Sequence, residues 1–444
     1  MELPFQICEI LERIENAGFA AFVVGGCVRD HLMGMTPHDF DITTSASPNE
    51  TKNIFADCRV IETGIKHGTV TVLYKGISTE ITTFRVDGDY SDGRHPDSVS
   101  FSRDIEDDLA RRDLTINGIA YNPKRGFVDP FGGRDDIERG IIRCIGDPDK
   151  RFSEDALRVI RALRFSATLG FPIAEDTARA VISHKTDLRK VSVERIFAEL
   201  KRLICGKDVW SVLMEFSEVF AAIIPPLSAE IGYDQGSRYH NSTLYEHTAR
   251  AVEAAPDTVE MRLAMLFHDI GKPACRSVDE NGECHYYGHG ELSARMTDEI
   301  LRAMKSDNAL RERVVEIVRY HDIPVDTSRK YIRRQLAKHG AEVFEEIMAA
   351  HIADDSAKCE FCRDRIPKVH EVMAIAREIS DEKPCFSVKM LDISGNELRD
   401  IVPPSPLMGE ILSKLLEEVV DEKLPNEKSA LLKRAAELMN ELKR

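Results

Sequence analysis

The chain has 444 residues, 43% of them hydrophobic and 31% charged, and its net charge is −16. This is an ordinary composition for a globular protein of about two to four domains, and no apolar run reaches membrane-spanning length. The acidic balance excludes nucleic-acid binding through overall charge, so any phosphate contact must come from a local strip of lysines and arginines. The ten cysteines are scattered, many of them in apolar segments, which fits a reduced, cytoplasmic chain. Cys359-Glu360-Phe361-Cys362 is a single pair, read as two ordinary thiols on a helix.

Residues 1–16 read as an amphipathic helix with Ile7, Ile10, Leu11 and Ile14 on one stripe, and they lack the basic and apolar regions of a signal peptide. An apolar strand over 19–24 ends in Gly25-Gly26-Cys27-Val28-Arg29-Asp30. The two glycines let backbone N–H groups approach a polyphosphate, and Arg29 adds a bidentate donor. Asp39 and Asp41 sit two apart on the next strand, 40–43, so both leave the same face. Carboxylates so placed can hold Mg²⁺ against a nucleoside triphosphate. Either motif alone is more often a plain turn or a solvated strand end; together, in this order, they point to displacement at phosphorus. Further strands are expected at 59–62, 69–74 and 79–85. Ser47, Pro48 and Glu50 form the capping box of an intervening helix. Residues 87–96 are polar and Gly-rich and read as a loop.

From Ser153 onward the pattern is almost entirely helical. Ser153 is expected to cap a helix running to Gly170. Further helices are expected at 175–185, 192–204, 207–220, 243–255, 258–270, 291–304, 309–320, 328–350 and 365–379, with a boundary near 225–240 and an amphipathic tail after about 385. On the 154–169 helix, Asp155, Arg158, Arg161 and Arg164 are spaced by three and form a ridge. One Asp–Arg pair is usually a surface salt bridge, but Arg111, Arg112 and Arg151 add to this one. An Asp accepts and an Arg donates, so the pair matches an edge with an amino donor beside an acceptor, as in cytosine and adenine, and not guanine or uracil. In the second half, His247, His268-Asp269, His289, His321 and Asp354 follow the order seen in HD-type phosphohydrolases. Such side chains on successive helices can converge on a divalent metal, although a lone His is more often structural. Asp322 and Asp355 are alternatives for the closing ligand; the Ala353-Asp354 context favours Asp354.

Gly25–Asp30, Asp39-Phe40-Asp41, Glu80–Arg85, the 87–96 loop, Arg111–Asn117, Val128–Phe131 and Glu154–Phe165, taken in order, resemble the bacterial CCA-adding tRNA nucleotidyltransferases. These belong to the class II nucleotidyltransferase family shared with bacterial poly(A) polymerases. Residues 391–436 resemble that family's tRNA-contacting body more weakly. The resemblance implies a multidomain α+β chain: a nucleotidyltransferase head with a mixed sheet (1–150), a helical neck for base selection and RNA binding (151–230), an HD-type helical domain (231–362) and a helical, tRNA-binding body and tail (363–444). It implies that Gly25, Gly26 and Arg29 meet the triphosphate, that Asp39 and Asp41 ligate two Mg²⁺ with Glu80 as a third carboxylate, and that Arg112 binds nucleotide. Asp155 and Arg158 would read the base, Arg161 and Arg164 would hold ribose and phosphates, and the 87–96 loop would help the switch from C to A. The chain departs from the family pattern at Arg94-His95, where two arginines are common, and at Gly118, where Ala is usual. The implied partners are tRNA, ATP and CTP, with no membrane and no obligate protein partner. The HD-type site would take a divalent transition metal. The expected activity is template-independent addition of C, C and A to tRNA. The alternatives are a poly(A) polymerase, a CC- or A-only enzyme, an HD phosphohydrolase or sensor with a regulatory nucleotidyltransferase-like domain, and a non-catalytic RNA-binding module.

Overall fold

The computed structural model describes residues 1–37, 39–88, 99–237, 239, 241–399, 401–402 and 406–442. Arg94, His95 and most of the 87–96 loop therefore lie outside the described residues. The chain divides into two compact units, Met1–Ser228 and Ala229–Arg444. No helix among the described residues is long and apolar enough to cross a membrane.

The first unit is built on a mixed sheet. Its strands are β1 (Ala21–Val24), β2 (Asp41–Thr44), β3 (Arg59–Ile61), β4 (Thr69–Tyr74), β5 (Ile77–Thr83), β8 (Ala120–Asn122) and β9 (Gly126–Val128), in the order β3-β4-β5-β2-β1-β8-β9; β6 (Arg85–Asp87) and β7 (Val99–Phe101) pair separately. Strand alternation splits β1 between two cores. Ala21 and Val23 pack with Ile7, Ile10, Leu11 and Ile14 of helix Phe5–Asn16, the predicted stripe. Phe22 and Val24 face the other way, with Phe84 and Leu109. The capping box forms as read: Ser47 Oγ accepts from Glu50 N–H, and Glu50 Oε2 accepts from Ser47 N–H at 2.7 Å.

Several elements differ from expectation. The run read as a strand over 79–85 is two strands, because Phe84 turns into the core between β5 and β6. Strands β7, β8 and β9 have three residues each, too few to show a period. Ser153 does not start the long helix. It lies inside helix Pro148–Glu154, which Asp147 caps, and Asp155 then takes an extended conformation before helix Leu157–Leu169. The 207–220 pattern is also two helices, Val209–Glu215 and Ser217–Ile223.

Among its described residues the second unit is helical apart from a small hairpin, Ser277–Val278 with Cys284–His285, that the helical pattern concealed. The helix expected over 328–350 breaks at Gly340, whose φ of +78° suits glycine, giving Arg329–His339 and Ala341–Ala357. The tail helices Pro406–Val420 and Lys428–Leu442 share a core of their own. The first of them ends against helix Arg329–His339. There Arg333 Nε donates to Val420 O at 2.7 Å, and Arg334 forks onto Asp421 at 2.7 and 2.8 Å, which places cations where a helix C-terminus favours them.

Gly133 starts helix Gly133–Arg139 hard against the turn at Thr115–Asn117; a Cβ there would lie 2.2 Å from Thr115 O and 2.8 Å from Ile119 Cγ1. Backbone cannot yield as a side-chain tip can. Gly133→Ala is therefore expected to destabilise the first unit by about 1–3 kcal/mol, read as a lowered midpoint of urea unfolding.

Candidate functional site

Strand register assembles the first site. Antiparallel pairing sets Val24 opposite Asp41, so the Gly25-Gly26 turn that follows β1 lies beside the start of β2. Parallel pairing of Ile42 with Ile81 brings Glu80 of β5 alongside Asp41. Asp39, Asp41 and Glu80 are all solvent-exposed at this end of the sheet. Asp39 lies in the approach to β2 and not on the strand itself. The Asp41 carboxyl is raised from its ordinary value, first by desolvation from the surrounding protein and then by the charges of Glu80 and Asp39, against the pull of Arg112. Carboxylates at one sheet end, with Glu80 and Asp39 both acting on Asp41, are donors of the type that suits a hard divalent cation.

Gly25 begins helix Gly26–Leu32 with φ of +78°, and a Cβ there would come within 3.2 Å of Arg112 Nη1. Glycine thus supplies both the turn and the room for the guanidinium. Arg112 is set by Asp108, a fully buried carboxylate that also binds Arg111 at 2.8 Å and accepts from Thr43 Oγ1 at 3.1 Å. Burial alone would raise the Asp108 carboxyl; Arg111 and Arg112 outweigh it and hold it below the usual range. Arg29 donates to Asn117 Oδ1 at 2.8 Å and pairs with Asp30 at 2.6 Å. The guanidinium carbons of Arg29, Arg161 and Arg164 lie 5.0, 5.6 and 3.5 Å from the Phe165 ring centre.

The expected Asp155–Arg158 pair is not assembled as one edge. Asp155 lies off the helix, where Oδ1 caps Leu157 N–H and Oδ2 pairs with Arg195 at 3.2 Å. The extended backbone at Asp155 takes it out of the helical spacing of the ridge, although its charge still acts on Arg161. Arg158 is buried against Glu154 Oε2 at 2.8 Å and the carbonyls of Arg151 and Arg111. Arg161 and Arg164 do share a neighbourhood, joined by Glu199 at 3.5 and 2.8 Å. The sequence reading missed Glu199. Its signal is a charge between Ile196 and Leu200 on the buried stripe of helix Val193–Ile204. Asp108 and Glu154, also missed as partners, carry no pattern that marks burial.

The second site lies wholly within the second unit. Ligand atoms of His247, His268, Asp269 and Asp354 lie within 4.8 Å of one another, as do those of Asp269, His289 and His321, so Asp269 belongs to both groups. Asp269 Oδ2 is 3.1 Å from His268 Nε2 and 3.4 Å from His247 Nε2, while Oδ1 is 3.4 Å from His289 Nε2 and 3.7 Å from His321 Nε2. The Nδ1 atoms of His268, His289 and His321 face the carbonyls of Met265, Tyr286 and Val318 at 2.7–2.8 Å. That contact makes each Nδ1 the donor and turns each Nε2 toward the centre. Asp355 is drawn to Arg365 instead. Both Asp269 oxygens and Asp354 Oδ1 are buried with no aligned hydrogen-bond donor, although Lys272 lies 2.6 Å from Asp269 and Lys358 pairs with Asp354. Burial would lower the His268 imidazole, yet the charges of Asp269 and Asp354 push it up to about 10. The cluster calls for positive charge, and its nitrogen and oxygen donors fit a divalent metal.

Three family descriptions match stretches of the chain: "Poly A polymerase head domain" at residues 21–143, "Probable RNA and SrmB- binding site of polymerase A" at 170–230, and "tRNA nucleotidyltransferase domain 2 putative" at 290–435. The CCA-adding enzyme of Ligilactobacillus salivarius is 34% identical over 97% of this chain and 96% of its own. A crystal structure of the Bacillus stearothermophilus CCA-adding enzyme in complex with CTP is 30% identical, with a TM-score of 0.75 over 100% of this chain and 99% of that one. The Thermotoga maritima CCA-adding enzyme complexed with tRNA, at 19% identity and a TM-score of 0.58, covers 98% of this chain and 96% of its own and shares the fold.

Asp113 ties the turn at Asn117 to helix Leu157–Leu169, pairing with Arg161 at 2.6 Å. Burial would raise its carboxyl, but Arg161 and Asn117 hold it at about 2. A depressed folded value means that the contribution is present above the unfolded value near 4 and fades as pH falls from about 4 to about 2, amounting to about 2 kcal/mol at neutral pH. Urea unfolding of Asp113→Asn is accordingly expected to show a deficit of about that size at pH 7 that narrows at pH 3.

Proposed function

The chain belongs to the CCA-adding enzyme family, and we propose that it completes tRNA 3′ ends by adding C, C and A from CTP and ATP without a nucleic-acid template. The observation that carries this is the single sheet end at which Gly25, Asp39, Asp41, Glu80 and Arg112 converge. Relatives of nearly the same length carry the CCA-adding name, which favours this reading over a poly(A) polymerase or a CC- or A-only enzyme.

In the reaction the terminal tRNA hydroxyl oxygen bonds to the α-phosphorus. The bond from that phosphorus to the oxygen bridging to the β-phosphate breaks, pyrophosphate leaves with the electron pair, and the hydroxyl proton passes to solvent. Mg²⁺ ions held by Asp39 and Asp41, with Glu80 in support, would supply charge neutralisation and acidify the hydroxyl. The chain's own part is positioning. The Gly25 N–H is bonded to Ile119 O at 3.2 Å, so Gly25 serves the turn, while the Gly26 N–H with Arg29 and Arg112 takes the triphosphate, and Arg161 and Arg164 take ribose and phosphate. Asp155 and Arg158 read the base by exchanging Arg195 and Glu154 for the base edge, since both are engaged in the free protein.

The clustering of four imidazoles around Asp269 supports a second reading for the second unit, an HD-type divalent-metal centre with phosphohydrolase activity. His247, His268, Asp269 and Asp354 would hold one ion, and Asp269, His289 and His321 another.

The primary test supplies a tRNA transcript lacking CCA with Mg²⁺ and each nucleotide alone or mixed. Addition of C, C and A followed by a stop is expected; an unlimited A tail or A-only addition would refute the proposal. Asp39→Asn and Asp41→Asn should each lose at least about 10²–10³-fold in rate. Asp155→Ala should instead admit G and U, and a variant still strict for C and A would remove Asp155 from base reading. For the second centre, elemental analysis should find divalent metal in the purified protein and its loss in Asp269→Asn, with CCA addition retained.

A further inference from the structure

We propose that Cys359 and Cys362 form a reversible dithiol–disulfide couple, a modification site that reacts with low-molecular-weight disulfides, with Cys359 as the attacking thiol and Cys362 as the resolving one. The pair belongs to neither of the candidate sites described above.

Spacing alone reads these residues as two ordinary thiols on a helix. The structure brings them face to face. They open a 3-10 helix, Glu360–Arg365, with Cys359 at its start, and Cys362 N–H donates to Cys359 O at 3.0 Å. In an α-helix residues three apart are offset around the axis, whereas in a 3-10 turn they eclipse. The two Sγ atoms accordingly lie 3.4 Å apart. A disulfide bond is about 2.05 Å long, so closure needs a further approach of about 1.4 Å, within reach of small rotations about the two Cα–Cβ bonds.

The turn is anchored on both sides. Cys359 N–H donates to Tyr239 O at 3.2 Å, and the Tyr239 and Phe361 ring centres lie 5.7 Å apart. Lys358, just before the pair, binds Asp354 and lies 3.8 Å from Asp355. Arg365, just after it, binds Asp355. Both carboxylates belong to helix Ala341–Ala357, so the ends of the turn are held by one element and the sulfurs stay opposed.

The two thiols are not equivalent. Cys359 is partly exposed, and Cys362 is buried. Burial first, and then its neighbour Cys359, push the Cys362 thiol up to about 11, against the charges of Lys358 and Arg365. Cys362 is therefore a poor first attacker that needs a disulfide delivered to it. Two other partly exposed thiols, Cys8 and Cys58, are raised by burial and then by the carboxylates of Glu12 and Asp57. Cys359 stands instead between Lys358 and Arg365. A partly exposed, electropositive setting is the one in which a cysteine reacts. The closed ring would span only Cys359 to Cys362, and loop closure stabilises a fold least when the loop is short. That marks the pair as a couple that opens and closes, not as a structural staple.

The reaction is thiol–disulfide exchange. The Cys359 thiolate bonds to one sulfur of RS–SR, the S–S bond breaks, and one RS⁻ leaves with the electron pair. Cys362 gives its proton to solvent and bonds to the Cys359 sulfur, and the second RS⁻ leaves. The two protein thiols are oxidised, RS–SR is reduced, and both RS⁻ take up protons. Excess RSH runs the sequence backwards.

The test incubates the full chain with oxidised and reduced glutathione at graded ratios, alkylates the remaining thiols, and weighs the tryptic peptide 359–363 by mass spectrometry. Oxidised glutathione should convert it to a form that lacks two hydrogens and takes no label, and reduction should restore both thiols. Cys362→Ala should stop at a glutathione adduct on Cys359, and Cys359→Ser should leave Cys362 unmodified. In the reduced wild type, Cys359 should react with iodoacetamide roughly tenfold or more faster than Cys8 and Cys58. The wild-type readings stand even where a variant does not fold. A peptide that keeps two alkylatable thiols while Cys8 or Cys58 is oxidised, or a Cys359 no faster than those two, would overturn the proposal. So would a Cys359 that pairs with a different cysteine, or thiols that become alkylatable only after a chelator is added, which would make the pair a soft-metal site.

Discussion

Two buried aspartates, Asp108 and Asp113, bracket Arg111-Arg112 and decide where positive charge stands in the first unit. Asp108 is fully buried and anchored to the strand that carries Asp41, through Thr43. Asp113 reaches the other way, to Asn117 and Arg161. Through Asn117 it sets Arg29, and through Arg161 and Glu199 it sets Arg164. Burying charge is costly, and losing one member of such a pair strands the other. The network therefore adds little net stability as a whole but fixes the guanidiniums in space. Chemistry that consists of holding a triphosphate still while an oxygen attacks it benefits from donors already aligned before the ligand arrives.

The second unit solves the opposite problem. There the buried groups in excess are acceptors: Asp269 and Asp354 carboxylates and imidazole Nε2 atoms, aimed inward because backbone carbonyls hold each Nδ1. Both carboxylates are held well below the ordinary range; burial opposes this, and it is overcome at Asp269 by His268 and Lys272 and at Asp354 by Lys358. In the absence of a metal, lysines and a protonated imidazole supply the cationic charge that these carboxylates require. Lys272 and Lys358 also line a cavity that adjoins the cluster.

What was legible in the sequence was whatever repeats or caps. The 1–16 stripe, the apolar strand ending at Val24 and the Ser47–Glu50 box each follow from a local rule, and each formed. The convergence of Gly25, Asp39, Asp41, Glu80 and Arg112 was legible because the motifs come in order, while the register that unites them is set by long-range pairing that no local pattern encodes. The break at Asp155 was hidden because leucines and valines keep helical spacing straight through it, and only the aspartate, a good capping residue, marks the joint. Glu199 and Asp108 were hidden for a different reason: charge on an inner face reads as an error of phase until its arginine, many residues away, is seen.

The same pairing bears on how a chain of net charge −16 meets RNA and nucleotides. Arg158, Arg161, Arg164 and Arg195 each enter the structure with a carboxylate already attached, Glu154, Asp113, Glu199 and Asp155 respectively. On the proposed roles, a phosphate or a base edge would meet arginines that are already paired, and would take the place of a carboxylate. Such an exchange is nearly neutral in charge and yields little affinity, because the arginine was desolvated and paired before and remains so after. What it does yield is discrimination, since a ligand whose acceptors miss the positions of the departing carboxylate oxygens leaves a buried guanidinium unpaired. A template-free enzyme that must choose among bases gains more from that penalty than from a basic surface that binds every nucleotide alike.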